Sequence, residues 1–154
     1  VALLYAIDLD DRLAAEELAR VLPHVLVPSS HPLADRSSVS LREFGAEPMI
    51  LLDLPHSRDY FRSLFLDAGV KPAIRHRTRS FELVRGLVAR GHGYSVLNLQ
   101  PHSNQTYDGG KVHCIPIVEP TTDLIIAVAR TRSIRPTRRA ETFTTYCRKF
   151  FSNA

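Results

Sequence analysis

The segment 78–100, TRSFELVRGLVARGHGYSVLNLQ, predicts one helix that leads directly into one buried strand. Ser80 is a favourable N-cap residue, and Glu82 places a carboxylate in the first turn, where the helix dipole favours negative charge. Gly91 follows at the position where a glycine commonly ends a helix. The short apolar run 94–97 then predicts the strand. The apolar residues of the helix recur at helical spacing; they are Phe81, Leu83, Val84, Leu87 and Val88.

The two ends of this segment are the parts that we expect to face a ligand. A tight connection between helix and strand places the end of the strand, around Asn98, at the carboxyl edge of a sheet. Open α/β sheets bind their ligands at that edge. Most of the segment is therefore expected to be scaffold, and the ligand-facing parts are residues 78–81 and 97–100.

Strand-like and helix-like segments alternate along the rest of the chain. Ser40 and Glu43 predict a single capped helical turn, whereas residues 13–26 are ambiguous. Ser57 is predicted to cap a helix that runs through Ala68, and a last helix follows Pro136. Its apolar stripe comprises Ala140, Phe143, Cys147 and Phe150. Apolar or extended runs predict strands at 1–7, 21–27, 49–54, 73–78, 112–117 and 124–129. The alternation predicts an α/β fold, in which residues 1–7 and 124–151 belong to a second lobe that the central stretch interrupts.

Length and composition restrict the class of protein. The chain has 154 residues, enough for one domain or two small lobes, and its 44% hydrophobic content argues against disorder. No apolar run is long enough to cross a membrane. The sequence starts at Val1 inside a strand pattern, so we expect a piece of a longer protein. Cys114 and Cys147 are expected to be small buried hydrophobic residues rather than a disulfide or a metal site.

The net charge of +4 comes mainly from arginine. One dense cluster comprises Arg130, Arg132, Arg135, Arg138 and Arg139. A nucleic-acid surface is one interpretation of such a cluster. Because no aromatic residue lies among these arginines, a solvated face is the interpretation that the sequence favours.

Catalytic motifs are absent from the sequence. It contains no glycine-rich phosphate loop, no nucleophile elbow and no closely spaced histidine or cysteine pair. The seven histidines are spread along the chain. We therefore expect no enzyme activity, no cofactor and no metal site.

The starts of two helices are the best binding features. A helix N-terminus offers free N–H donors and the positive end of the dipole, which favour an anion. His56 and Arg58 add donors at Ser57, and Arg79 adds charge at Ser80. Two such N-termini facing one cleft would hold a carboxylate or a phosphate. The alternative is that both serines act only as helix caps.

Several ordered stretches together resemble the effector-binding domain of a LysR-type transcriptional regulator. They are VALLYAI, VLVPSSHPLADRSSVSLREF, EPMILLDLP, FLDAGVKP and SFELVRGLVARGHGYSVLN. The His-Pro-Leu-Ala turn followed by Val-Ser-Leu, together with the later Val-x-x-Gly-x-Gly, is specific in combination. The resemblance covers nearly the whole chain.

The resemblance implies a two-lobed fold similar to type 2 periplasmic binding proteins, with three-layer αβα lobes and an incomplete first lobe. Residues 1–34 and 119–154 would belong to the first lobe, and residues 35–118 would form the second. A small anionic effector would bind between the lobes. A dimer or tetramer would form through the first lobe, and a separate N-terminal helix-turn-helix would bind DNA in the cytoplasm. The implied ligand-binding positions are Pro55, His56, Ser57, Thr78, Arg79, Ser80, Phe81 and Asn98.

Two other functions fit a two-lobed α/β chain. The solute-binding receptor of an ABC-type transporter shares the fold, but the His-Pro-Leu-Ala series favours the regulator. An enzyme on the same scaffold would need a clustered nucleophile or base, which the sequence does not show.

Overall fold

The computed structural model describes residues 1–7, 9–55 and 57–152, without the side chain of Ser57. The chain is α/β, with mixed sheets and three α-helices among these residues. The strands are β1 (Ala2–Tyr5), β2 (Leu13–Val21), β3 (His24–Pro28), β4 (Pro48–Leu52), β5 (Ala73–Thr78), β6 (Ser95–Leu97), β7 (Val112–Pro116) and β8 (Leu124–Thr131). The helices are α1 (Ser57–Asp67), α2 (Phe81–Ala89) and α3 (Arg138–Phe151), and Leu41–Phe44 forms a 3₁₀ turn.

Two compact units divide the chain. Unit 1 comprises Val1–Leu22 and Thr122–Ala154, and unit 2 comprises Pro23–Thr121. The chain passes from unit 1 to unit 2 after Leu22 and returns to unit 1 at Thr122. Strand β3 belongs to unit 2 because it pairs with β6 and β7.

Unit 1 contains an antiparallel sheet in the order β1–β8–β2. The central strand β8 buries Ala127, Val128 and Ala129. Helix α3 is joined to β2 by Arg148, whose Nη2 donates to Oε2 of Glu16 at 2.7 Å. Residues 13–21, which were ambiguous in sequence, thus form an edge strand with a register shift between Glu17 and Ala19.

Only part of the apolar stripe of α3 is buried. Cys147 is buried as expected, but Phe143 is 40% exposed and Phe150 is 56% exposed. Helical spacing identifies a stripe, but the neighbouring elements decide which stripe is covered. Only part of this one meets the β-sheet of unit 1.

In unit 2, strands β3, β4 and β6 contribute residues to both hydrophobic clusters. Backbone bonds between β4 and Tyr94 connect the pair β4–β5 to the sheet β6–β3–β7, with the N–H of Ile50 donating to the carbonyl of Tyr94 at 2.8 Å. Alternate residues of β4 point to opposite faces. Met49 and Leu51 join the cluster that includes α1, and Ile50 and Leu52 join the cluster that includes α2.

Most of the local predictions for unit 2 are confirmed. The side chain of Ser80 accepts a hydrogen bond from the N–H of Leu83 at 3.2 Å, and Gly91 has a φ of 76°. Ser40 and Glu43 form the predicted capping box before the 3₁₀ turn. Leu83 departs from the prediction, because 50% of its surface is exposed although it lies within the apolar run of α2.

No helix among the described residues has the length and apolar character that a membrane span needs.

Gly93 is the glycine on which the pairing of β4 with β6 depends. Its φ is 145°, and an added Cβ would overlap the carbonyl oxygen of Pro48. We expect Gly93→Ala to lower the free energy of unfolding by at least about 2 kcal/mol, because the overlap is with backbone. Urea denaturation followed by circular dichroism measures this change.

Gly86→Ala is the matched control. Gly86 lies within α2, and an added Cβ there meets no atom within 4 Å. Since alanine favours helix more than glycine does, this variant should be more stable by about 0.5–1 kcal/mol. Equal losses in both variants would contradict the steric explanation.

Candidate functional site

The carboxyl ends of three parallel strands meet at one edge of unit 2. Strand β4 runs parallel to β5, with Leu52 opposite Thr78, and parallel to the residues that enter β6, with Met49 opposite Tyr94. If the pairing of Met49 with Tyr94 is continued by four residues along both strands, Asn98 lies opposite Asp53. We call this edge the strand-end site; its described members are Asp53, Pro55, Thr78, Arg79, Ser80, Phe81 and Asn98.

The start of α2 supplies the hydrogen-bond donors of the strand-end site. The Thr78 hydroxyl oxygen accepts from the N–H of Ser80 at 3.1 Å, which fixes the turn between β5 and α2. The Ser80 side chain then caps the N–H of Leu83. The N–H groups of Phe81 and Glu82 have no acceptor among the described residues. Two backbone donors therefore remain available at the positive end of the helix.

Asp53 is an acidic residue of the site that the sequence analysis missed. Its carboxylate binds the Arg58 guanidinium and lies 3.8 Å from Nη1 of Arg77. The N–H of Asp53 donates to the carbonyl of Thr78 at 2.8 Å, which ties β4 to β5 at this edge. A polar residue directly after a buried strand is the sequence signal that could have identified it.

Arg79 is the exposed cation of the site. It has no carboxylate within ion-pair distance among the described residues. Asp53 is shared between Arg58 and Arg77, and Glu82 in the first turn of α2 is paired with Arg85, so Arg79 adds a positive charge that these carboxylates do not offset. The local charge at the start of α2 is therefore positive.

Arg58, in the first turn of α1, already uses its backbone N–H and its guanidinium as donors. The N–H of Arg58 donates to the carbonyl of Leu54 at 3.2 Å, and its guanidinium binds Asp53. Pro55 is exposed in the turn before the helix. The predictions for His56 and for the side chain of Ser57 lie outside the described residues.

Phe81 and Asn98 have different surroundings. Phe81 is half-buried and packs on the cluster of Ile50, Val84 and Val88, so its side chain supports the scaffold. The Nδ2 atom of Asn98 is buried without a hydrogen-bond partner among the described residues. An unpaired buried donor is costly, so this amide is a position where a small reorientation would gain a hydrogen bond.

The comparisons with known proteins identify the family. The chain matches the LysR substrate binding domain over residues 1–152. It belongs to this family. The resemblance inferred from the sequence is thereby confirmed.

Similar regulators extend well beyond the matched region. HTH-type transcriptional regulator TtuA of Agrobacterium vitis is 34% identical over 92 residues, which cover 58% of this chain and 30% of TtuA. The uncharacterized HTH-type transcriptional regulator YybE of Bacillus subtilis is 33% identical over 131 residues, 83% of this chain and 43% of YybE. The crystal structure of HinK, a LysR family transcriptional regulator from Pseudomonas aeruginosa, has a TM-score of 0.91 and 42% identity, over 99% of this chain and 53% of HinK. The chain thus spans about half or less of these relatives.

A buried arginine stabilises the loop beside α2 of this LysR-type domain. Arg85 is only 5% exposed; it donates to Glu82 at 2.8 Å and to the carbonyl oxygens of Ser103 and Gln105. Glu82 also accepts from the N–H of Tyr107 at 2.8 Å. The sequence analysis placed Glu82 correctly in the first turn but missed this contact, because its partners are about twenty residues away.

The pKa values of two other groups of the LysR-type domain differ from their ordinary values. Burial raises the pKa of the Tyr94 hydroxyl, and the nearby Glu47 carboxylate raises it further. Hydrogen bonds from Thr106 and Arg90 lower the pKa of Asp108 to about 2. No group of three or more acidic, histidine or cysteine residues in the described ranges could hold a metal ion.

Ser80→Ala tests the cap at the start of α2. Losing a serine N-cap costs about 1 kcal/mol, so the free energy of unfolding should fall by that amount. Ser63→Ala is the control, because Ser63 lies on the surface of α1 and bonds only to the carbonyl of Tyr60 among the described residues. It should be neutral or slightly stabilising, since alanine is the better helix former. Equal destabilisation of both variants in urea denaturation would argue against a capping role.

The carboxyl group of Asp108 should titrate with a midpoint near 2. Because its folded pKa lies below the ordinary 3.8, its hydrogen bonds favour the folded loop above that pH, and their contribution is lost as the pH falls through about 2. Carbon-13 NMR of the side-chain carboxyl measures the midpoint. Arg90→Gln should raise it toward the ordinary value; an unchanged midpoint would contradict the assigned cause.

Proposed function

We propose that the chain is the sensing domain of a transcriptional regulator and binds a small anionic effector, most simply a carboxylate, at the strand-end site. The proposed contacts are Pro55, His56, Ser57, Thr78, Arg79, Ser80, Phe81 and Asn98. The observation that carries this proposal is the exposed, unpaired charge of Arg79 beside two backbone N–H donors at the start of α2.

Electrostatics favours an anion over a neutral ligand at this position. The dipole of α2 contributes roughly half a positive charge at its start. Arg79 adds a full charge, while the nearby carboxylate of Asp53 is already shared between two arginines. An anion placed here gains from both sources without displacing an existing ion pair.

Geometry favours a small, flat or forked acceptor group. The N–H groups of Phe81 and Glu82 are adjacent and belong to the same helical turn. The two oxygens of one carboxylate can accept from two such donors, with bridging water where the distance is longer. The Asn98 amide, level with Asp53 on the neighbouring strand, offers a third polar contact after reorientation.

Solved effector-binding domains with this fold include those of QuiR with shikimate, CcmR from Synechocystis with 2-PG and BenM with benzoate. Their identities of 20%, 19% and 21% to this chain show the fold alone. Shikimate and benzoate are carboxylates and are useful probes for that reason. The choice of an anion for this chain depends on its own charges.

The proposal also includes the lobes of the domain and the oligomer of the regulator. We assign residues 1–34 and 119–154 to an incomplete first lobe and residues 35–118 to a second lobe of a periplasmic-binding-protein-like fold. A homodimer or homotetramer through the first lobe would transmit effector binding to a separate helix-turn-helix that binds DNA in the cytoplasm. The named relatives, which are HTH-type transcriptional regulators, support this assignment.

Arg79→Ala should weaken the binding of benzoate and shikimate by about tenfold or more, because it removes a charge adjacent to the bound carboxylate. Isothermal titration calorimetry measures the dissociation constants. Arg75→Ala is the matched control, since Arg75 is an exposed arginine within β5, which ends just before Arg79, and it has no ion pair among the described residues. The control should bind both probes like the parent chain. Equal weakening in both variants, or none in either, would place the anion elsewhere.

A further inference from the structure

A second basic surface lies in unit 1, between the end of β8 and the first turn of α3. We call it the arginine surface; it comprises Arg130, Arg132, Arg135, Arg138 and Arg139. All five side chains are exposed. The segment 130–139 contains no carboxylate, and the next one along the chain is Glu141. Half of this ten-residue segment therefore carries positive charge without an acidic neighbour in sequence.

The contacts in unit 1 leave this charge uncompensated. Other arginines of the unit have carboxylate partners; the pairs are Arg12–Asp10, Arg20–Glu17 and Arg148–Glu16. None of the arginine surface has a carboxylate within 4.0 Å among the described residues. Arg132 alone is anchored, since its Nε donates to the carbonyl of Asp11 at 2.9 Å. Asp10, Glu16 and Glu17 are thus paired with arginines outside segment 130–139, and the excess charge remains on that segment.

Arg138 and Arg139 occupy positions at which a positive charge destabilises a helix. They are the first two residues of α3, whose cap is Thr137. The positive end of a helix dipole favours acidic residues and is destabilised by cations. No described ion pair compensates either arginine. Residues that lower the stability of a helix without a compensating contact are expected at functional sites.

We propose that the arginine surface binds the phosphate backbone of duplex DNA without reading its sequence. A guanidinium group matches phosphate oxygens through two parallel hydrogen bonds, and duplex DNA presents a dense row of them. The core of a protein–protein interface is usually depleted of charged residues, whereas segment 130–139 carries five positive charges. This charge pattern therefore fits DNA better than an acidic protein. The inference is independent of the effector site.

The test measures binding of the 154-residue chain to a fluorescent 20-base-pair duplex of arbitrary sequence. Fluorescence anisotropy at several salt concentrations gives the slope of log K against log salt, which changes by about 0.9 for each phosphate neutralised. We expect Arg135→Ala/Arg138→Ala/Arg139→Ala to reduce the magnitude of that slope by about 2 to 3. The matched control is Arg62→Ala/Lys71→Ala/Arg75→Ala, which removes the same charge from exposed positions in unit 2. Its slope should stay near that of the parent chain.

A second variant separates binding from folding. Arg138→Glu/Arg139→Glu places carboxylates at the positive end of α3, so its thermal midpoint should equal or exceed that of the parent chain. Its affinity for the duplex should nevertheless fall further than in the alanine variant. Three results would overturn the proposal: equal loss of slope in the unit 2 control, unchanged binding by the glutamate variant, or poly-glutamate bound as tightly as DNA at the same salt. The last result would indicate an acidic protein partner instead.

Discussion

Parallel pairing of β4 with β5 and with the residues entering β6 is the constraint on which unit 2 depends. The bonds from Ile50 and Tyr94 join two smaller sheets, so that strands distant in sequence end at one edge. Close approach at Gly93 permits this pairing, because any side chain there would collide with the backbone of Pro48. The two hydrophobic clusters then form on opposite faces, as alternate residues of β3 and β4 require. This pairing is what brings Thr78, Asp53 and Asn98, which are distant in sequence, to the same edge of the sheet.

At the strand-end site, the carboxylate of Asp53 contacts two of the nearby arginines. The Asp53 carboxylate binds Arg58 and lies near Arg77, so it offsets one of these two positive charges. Arg79 remains outside this group and is exposed to solvent at the start of α2. A ligand that binds here replaces water around one arginine and one helix start. This is a small desolvation penalty for the protein, because no buried ion pair has to break.

The two units use their charges in different ways. In unit 2 a buried arginine, Arg85, holds a loop through backbone carbonyl groups and a carboxylate. In unit 1 the arginines on β2 and α3 form exposed pairs, which contribute little to stability. The unpaired arginines of segment 130–139 contribute even less, and two of them oppose the helix dipole. In the proposed DNA contact, these arginines serve recognition rather than folding.

The sequence by itself determined the local elements of this protein. Ser80, Glu82 and Gly91 define α2, the capping box at Ser40 defines the 3₁₀ turn, and the motif series identifies the LysR family, because each signal acts within a few residues. The tertiary structure alone decided which surfaces are covered and which charges meet. It placed β2 as a strand, exposed Leu83, Phe143 and Phe150, and brought Asp53 to two arginines from different elements. Sequence periodicity could not settle these points, because burial and ion pairing depend on neighbours that are distant along the chain.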